Sequence, residues 1–235
     1  MMIHTKVIKP YISGLHLGSY TYLFSNILDY TLNKEDTMSI LKQNPQLYVA
    51  STIANFKNLI GLSPLYYIFA DNLILHDKSV HFQLFKLLGM LLTHNITFYL
   101  IHKCFHDYKS LYHIHKFHHK FVKPVPSNGN AVSMTEYNIA YVLPFIIGAI
   151  LTKPNELTFK LAIGIISFLN SLVHSGKLKH LRYPSLFVTP SDHLTHHEKL
   201  DTKYASPILN IDNIVNRVNK MFNNEHSKYK YARGI

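Results

Sequence analysis

Residues 139–173, IAYVLPFIIGAILTKPNELTFKLAIGIISFLNSLV, decide the fold class. Two apolar runs, Ile139–Leu151 and Leu157–Val173, flank the short segment Thr152–Glu156, where Lys153, Pro154 and Asn155 interrupt the hydrophobic pattern. That pattern predicts a helical hairpin. Each arm is shorter than the roughly 20 residues of an ideal span, so shallow penetration, a thinned membrane and a soluble helical core all stay open. Upstream, Phe56–Leu75 and Phe82–Ile101 are rich in Leu, Ile, Phe and Tyr and are separated by the polar residues 76–81, which predicts a second hairpin. Tyr11–Leu32 is a weaker amphiphile carrying His16, Asn26 and Asp29, suited to the membrane interface. Lys6 and Lys9 precede an interrupted apolar stretch rather than the compact one of a secretory signal.

Composition points the same way. Charged residues make up 16% of the chain and hydrophobic residues 47%, an apolar balance for a sequence with 17 histidines, and one that fits a membrane protein with a large polar face. No glycine/serine-rich linker divides the chain, which predicts a single domain over residues 1–235. A net charge of +11 would suit nucleic acid, but its distribution does not. Basic residues gather in Lys103–Lys123, Lys177–Lys203 and Lys220–Arg233, beside the apolar hairpins, where the positive-inside tendency places them in the cytosol. No nucleic-acid-binding motif accompanies them, so nucleic acid is not an expected partner. Cys104 is the only cysteine, which excludes an intramolecular disulfide; its expected role is packing.

Three histidine clusters carry the chemistry: His102 and His106; His115, His118 and His119; and His193, His196 and His197. Spacings of three and four place side chains on one helical face, and neutral imidazole is the commonest ligand for first-row transition metals. One H-x-x-x-H pair is more often a solvated face. Two H-x-x-H-H patterns about seventy residues apart are harder to credit to composition. Leu92–Tyr112 reads as a helix leaving the membrane with His102 and His106 one turn apart, and a short bend leads to His115. Thr189-Pro190-Ser191-Asp192 predicts a helix start, with an N-cap, proline at the first position and an acid in the first turn. His174, at the end of the Leu157–Val173 arm, makes a ninth candidate. Eight or nine imidazoles exceed one four-to-six-coordinate ion, so two metals are expected. There is no H-E-x-x-H motif, no cysteine pair and no Glu-x-x-His pair, and imidazole alone does not separate iron from zinc or copper.

The ordered motifs resemble the fatty acid hydroxylase/sterol desaturase superfamily from about Phe98 to Asn216. Phe98-Tyr99-Leu100-Ile101-His102-Lys103-Cys104-Phe105-His106 is similar to that family's F-Y-x-x-H-[RK]-x-x-H, and Leu111-Tyr112 through His115-Lys116-Phe117-His118-His119 to its L-Y-x-x-H-K-x-H-H. His174-Ser175-Gly176 and His193-Leu194-Thr195-His196-His197 are similar to its H-S-G and H-x-x-H-H. The chain departs at Ser133-Met134-Thr135-Glu136, where many members have H-P-x-E, at Lys203-Tyr204-Ala205, for N-Y-G, and at Ile211-Asp212, for W-D. It resembles a divergent member.

The resemblance implies an all-α fold: integral-membrane helical hairpins under a cytosolic helical cap that carries a dinuclear site. It implies two iron ions, with zinc possible in their place, held by His102, His106, His115, His118, His119, His174, His193, His196 and His197 as metal ligands and catalytic residues. O2 is the implied co-substrate and a sterol or fatty acyl lipid the implied substrate, hydroxylated or desaturated. Electrons would come from outside, because no G-x-G-x-x-G fingerprint or c-type haem motif is present. A b-type cytochrome with its NAD(P)H-dependent reductase fits that role. The implied location is the endoplasmic reticulum or a bacterial cytoplasmic membrane, with the site facing the cytosol. A zinc-binding, non-oxidative protein and an inactive scaffold are the rival readings. Asp107, Glu136, Asp192 and Glu198 are candidates to hold the ligands' other nitrogens, and each is equally suited to a solvated surface. His94, His113 and His180 carry no assignment, though His113 could support the centre from outside the ligand set.

Overall fold

Proline placement explains the shape of the helices. In the computed structural model, which describes residues 2–76 and 82–232, the described residues are mostly helical and form no strand. Helices α1 (Met2–Thr31) and α2 (Lys34–Gln43) lead into a continuous rod made of α3 (Pro45–Asn55), a π-helical stretch (Phe56–Leu62) and α4 (Ser63–Asp71). After α5 (Gln83–Asp107) and the short α6 (Lys109–His115), a second rod joins α7 (Met134–Glu136), a π stretch (Tyr137–Val142) and α8 (Leu143–Thr152). Helices α9 (Glu156–Val173), α10 (Pro190–Lys199) and α11 (Ile211–Ala232) complete the order. Pro64 and Pro144 each follow a π stretch. Proline has no N–H, and its ring clashes with the carbonyl four residues back. The helix widens ahead of each: Ser63 N–H reaches the Asn58 carbonyl and Leu143 N–H the Asn138 carbonyl, both five residues back. The two widened stretches then pack together through Ser63 and Tyr137 hydroxyls (2.6 Å), Tyr66 Oη on Asn138 Oδ1 (2.6 Å) and Asn58 Nδ2 on the Val132 carbonyl (3.0 Å).

The hairpin expected from residues 139–173 is present. Lys153 takes a left-handed conformation (φ 44°) after α8, and the Asn155 side chain caps α9 by accepting from Thr158 N–H. The second expected hairpin needs correction. Its first arm starts at Pro45, where Asn44 accepts from Leu47 N–H, and ends at Asp71 rather than Leu75. Part of its connection, residues 77–81, lies outside the described residues. The single helix expected over Leu92–Tyr112 breaks at Tyr108, which is extended (φ −104°, ψ 109°) and turns α6 away from α5. Tyr11–Leu32 belongs to α1 and packs lengthwise on the first rod. A Cβ on Gly14 would lie 2.7 Å from Pro64 Cα, and one on Gly18 would lie 1.8 Å from the Leu59 carbonyl oxygen. Gly14-x-x-x-Gly18 is thus a small-residue seam that lets two backbones touch. Cys104 is exposed and does not pack.

Among the described residues, three helical segments are long and apolar enough to cross a membrane: α5, the rod Met134–Thr152, and α9. On α5, Leu84, Leu88, Leu92, Ile96 and Leu100 recur every fourth residue and all are exposed, an outward apolar stripe. Inward, Met90, Ala149, Phe159 and Ala162 interlock with Tyr67 and Ala70. Helices α5 and α9 start together, because Gln83 Oε1 accepts from Asn155 N–H (3.2 Å) and the Thr158 hydroxyl (2.9 Å). Both carry histidines at their other ends.

Asp29, fully buried near the end of α1, accepts from Ser127 N–H through Oδ1 (3.0 Å). Burial raises its carboxyl to about 6, with the Ser127 hydrogen bonds opposing the shift. The folded state therefore holds this proton more tightly than the unfolded chain does. The resulting stability is complete below the ordinary value of 3.8 and is lost as pH rises through about 6. We expect the stability difference between wild type and Asp29→Asn to change by about 2 kcal/mol between pH 4 and 7, in the variant's favour as pH rises. Thermal unfolding in detergent across that range measures it; a constant difference refutes the assignment.

Candidate metal centre

Helix α5 brings His102 and His106 to its last turns, one turn apart. His115 closes α6, and a 3-10 turn, His118–Lys120, brings His118 and His119 back over it. The expected run of three imidazoles on one helix is therefore split between a helix end and a tighter turn. His174 follows α9 directly. Helix α10 begins as its sequence predicts: Thr189 and Asp192 form a reciprocal capping box with Pro190 at the first position. Leu200 closes it in a left-handed conformation (φ 66°), which returns the chain beneath His196.

The nine histidines singled out by spacing and resemblance converge in two adjoining groups. His102, His106, His115, His119 and His196 form one; His118, His174, His193 and His197 form the other. Within each, one ring nitrogen per residue lies within 4.8 Å of the others. The groups meet where the His119 ring stands 4.8 Å from that of His197 and the His118 ring 5.2 Å from that of His115. All but His106 are buried. Burial foremost, then the neighbouring imidazoles, holds His115, His118, His193 and His197 well below the ordinary histidine range. Burial lowers His174 and His196 to about 4. The rings outside the spanning helices are therefore neutral at physiological pH.

Hydrogen bonds fix which nitrogen carries the proton. His102 Nδ1–H donates to the Tyr204 carbonyl (2.7 Å), His174 to that of Asn170 (2.7 Å), His196 to that of Thr202 (2.8 Å) and His197 to that of Phe121 (3.0 Å). A carbonyl only accepts, so each Nε2 is left with a bare lone pair. His102 Nε2 and His196 Nε2 then face each other at 3.1 Å with no proton to share. Such a contact is repulsive unless a cation stands beside both nitrogens. About 3 Å is the spacing of adjacent nitrogen ligands each about 2.1 Å from a shared ion. His197 Nε2, buried and without a hydrogen-bond partner, is bare in the second group. The donor set fits first-row transition ions.

Of the four acids considered, only Glu136 touches an imidazole: its Oε1 accepts from His115 Nδ1–H (2.5 Å). Asp107 pairs with Lys103 (2.9 Å), Asp192 serves the helix cap and Lys203 (2.8 Å), and Glu198 is exposed. His113 turns to its own helix, its Nδ1–H donating to the Ser110 carbonyl (2.8 Å), and is exposed, as is His180. Backbone carbonyls do the orienting that acids were expected to do. No side-chain pattern marks them in advance. Asn95 was missed as well: its Oδ1 accepts from Ile208 and Leu209 N–H (3.2 Å each), tying to α5 the loop that supplies the Thr202 and Tyr204 carbonyls. Glu136→Ala is expected to lower metal affinity about 10–100-fold, the usual weight of such a partner. Metal titration of the metal-free protein reads it, and unchanged affinity refutes the role.

An apolar cavity lies among α1, the two rods, α5 and α9. Phe98, whose ring is 5.1 Å from that of His102, and Asn170, whose carbonyl holds His174, line it nearest the histidines. Tyr67, Ala70 and Phe159 line it toward the α8–α9 turn. Gly129 lets the backbone pack directly against His174, since a Cβ there would lie 2.7 Å from His174 Nδ1.

Fold and pocket together define a helical, membrane-type protein with a histidine-lined centre able to hold metal. A sequence model of the fatty acid hydroxylase family matches residues 87–217, more than half of the chain, and the chain belongs to that family. No curated protein and no solved structure matches it. Membership with three apolar helices makes this an integral membrane protein, and the family is one of lipid hydroxylase and desaturase-type oxidoreductases.

Proposed function

We propose that the chain is one membrane domain that uses two histidine-bound iron ions, O2 and externally supplied electrons to hydroxylate or desaturate a sterol or fatty acyl lipid. The observation that carries this reading is the pair of proton-free nitrogens, His102 Nε2 and His196 Nε2, with the His102 ring 5.1 Å from Phe98 in the wall of an apolar cavity. His102, His106, His115, His119 and His196 would hold one ion, and His118, His174, His193 and His197 the other. The ions, when bound, supply the reductive activation of O2.

The chain's own residues do the rest. The carbonyls of Asn170, Phe121, Thr202 and Tyr204 keep four imidazoles in the tautomer that leaves Nε2 free. The Glu136 carboxylate holds His115 in the same way and makes it a stronger donor. Phe98, Phe145 and Phe159 keep water from the cavity, and its walls present one stretch of a lipid chain to the centre. In hydroxylation one oxygen atom enters the lipid C–H bond and the other leaves as water. Two electrons and two protons are therefore needed from a donor. The exposed Lys109, Lys116 and Lys120 surround the histidine end and suit an acidic redox partner such as a b-type cytochrome served by an NAD(P)H-dependent reductase.

The same lysines favour a cytosolic site. Cys104 is exposed near the histidine end and is the only cysteine, so a membrane-impermeant maleimide should label it in inside-out vesicles alone. The central test is the metal content of the purified protein together with O2-dependent lipid oxidation in membranes. Iron with oxidised lipid is expected. Zinc alone, with no oxidation under reducing electron supply, would replace this reading with a non-oxidative zinc protein.

A further inference from the structure

The cavity contains few polar groups, and most are bonded within the protein: Tyr137 Oη to the Ser63 hydroxyl, Tyr66 Oη to Asn138, and Tyr141 Oη to the Gly129 carbonyl. His94 differs. It is 2% exposed and lines the cavity, and among the described residues neither ring nitrogen has a hydrogen-bond partner. Its ring is held between those of Phe98 (6.2 Å) and Phe145 (4.5 Å). It does not belong to either histidine group.

A neutral imidazole offers one donor and one acceptor, and leaving both unused in an apolar wall is costly. A hydroxyl can use either and a carbonyl can use the donor. No Lys, Arg, Asp or Glu lines the cavity, so nothing there offsets the burial of a carboxylate or phosphate. His94 precedes His102 by eight residues on α5, which sets it about 12 Å below the histidine centre at the helical rise.

We propose that His94 is a specificity-determining residue: it hydrogen-bonds the hydroxyl or carbonyl oxygen of an uncharged lipid and holds that oxygen about 12 Å from the carbon presented to the histidine centre. The inference rests on the lipid-oxidation reading above and narrows its substrate to neutral lipids that carry such an oxygen. A free fatty acid entering carboxylate first does not meet the requirement.

Equilibrium binding of radiolabelled stearyl alcohol, octadecane and stearate to the purified protein in detergent tests it. Wild type should bind the alcohol about tenfold more tightly than the alkane, and stearate no more tightly than the alkane. His94→Phe should bring the alcohol to the level of the alkane. His94→Gln, which keeps a donor and an acceptor, should retain part of the preference. In turnover, wild type should oxidise stearyl alcohol at a fixed distance from its hydroxyl, and His94→Phe should scatter the position. Equal binding of alcohol and alkane by wild type, a preference that survives in His94→Phe, or tighter binding of stearate overturns the proposal. Should His94→Phe fail to fold, the wild-type ranking and His94→Gln decide. Binding needs neither metal nor O2. A preference without turnover therefore refutes the oxygenase reading and leaves His94 as a lipid ligand, whereas turnover without a preference refutes His94 alone.

Discussion

His118→Ala and His196→Ala are each expected to abolish O2-dependent lipid oxidation while removing only part of the metal. His118 belongs to the group of four and His196 to the group of five, so each deletion strips an imidazole from one ion and leaves the other ion's donors in place. Bound metal should fall from two ions per chain to about one, and activity should fall by far more than half. Ligands that act as a unit lose their function together when any one is removed. His196 carries a second penalty: with it goes the partner that faces His102 Nε2 at 3.1 Å. Elemental analysis beside a product assay reads both quantities, and Cys104→Ser, at an exposed position, serves as the control that changes neither. Full metal content with full product formation in either histidine variant would refute the catalytic assignment.

Gly18→Ala should produce the largest loss of stability of any Gly→Ala change among the described glycines. The new Cβ would stand 1.8 Å from the Leu59 carbonyl oxygen and 2.8 Å from its carbon, and backbone cannot swing aside as a side chain can. Overpacking in a core typically costs about 1–3 kcal/mol, and a clash with backbone belongs at or above the top of that range. Relief requires α1 to lift from the Pro45–Asp71 rod. Gly14 and Gly18 both line the cavity, so lifting α1 also opens its wall. Thermal unfolding in detergent should show a fall of several degrees, with lipid retention falling in parallel. Gly61→Ala, where nothing lies within 4 Å of a built Cβ, is the matched control. Equal stability of the two variants would show that α1 does not depend on this seam.

Different parts of the molecule were legible in the sequence to different degrees. The turn at residues 152–156 and the start of α10 could be read because local chemistry decides them: Asn155 and Thr189 cap their helices whatever surrounds them. Convergence of the nine histidines could be inferred from number and spacing, although the two groups cut across the clusters, the second and third each being divided between them. His119 sits with His102 while its neighbour His118 sits with His174, a division that depends on the 3-10 turn His118–Lys120. The break at Tyr108 was hidden, since no glycine or proline marks it and the chain turns there only to return His115 toward α5. The π stretches were signalled by Pro64 and Pro144, but apolar density alone concealed the need for a wider turn. The Gly14-x-x-x-Gly18 seam was also visible in principle, as a small-residue repeat inside an otherwise weak amphiphile. Three of the four acids near the clusters proved uninvolved because proximity in sequence does not set which way a side chain faces.

Holding imidazoles by main-chain oxygens has a genetic consequence. Thr202, Tyr204, Asn170 and Phe121 contribute their carbonyls, an atom that every codon at those positions would encode. Substitution there is filtered by whether the loop keeps its path, and that path is guarded elsewhere, by Asn95 holding Ile208 and Leu209 and by Asp212 accepting from Ala205 N–H. The side chain at Thr202 can thus change without moving the proton on His196. A saturation library at Thr202, which gives His196 only its carbonyl, should tolerate broad replacement, while one at Asn95 or Asp212 should tolerate little.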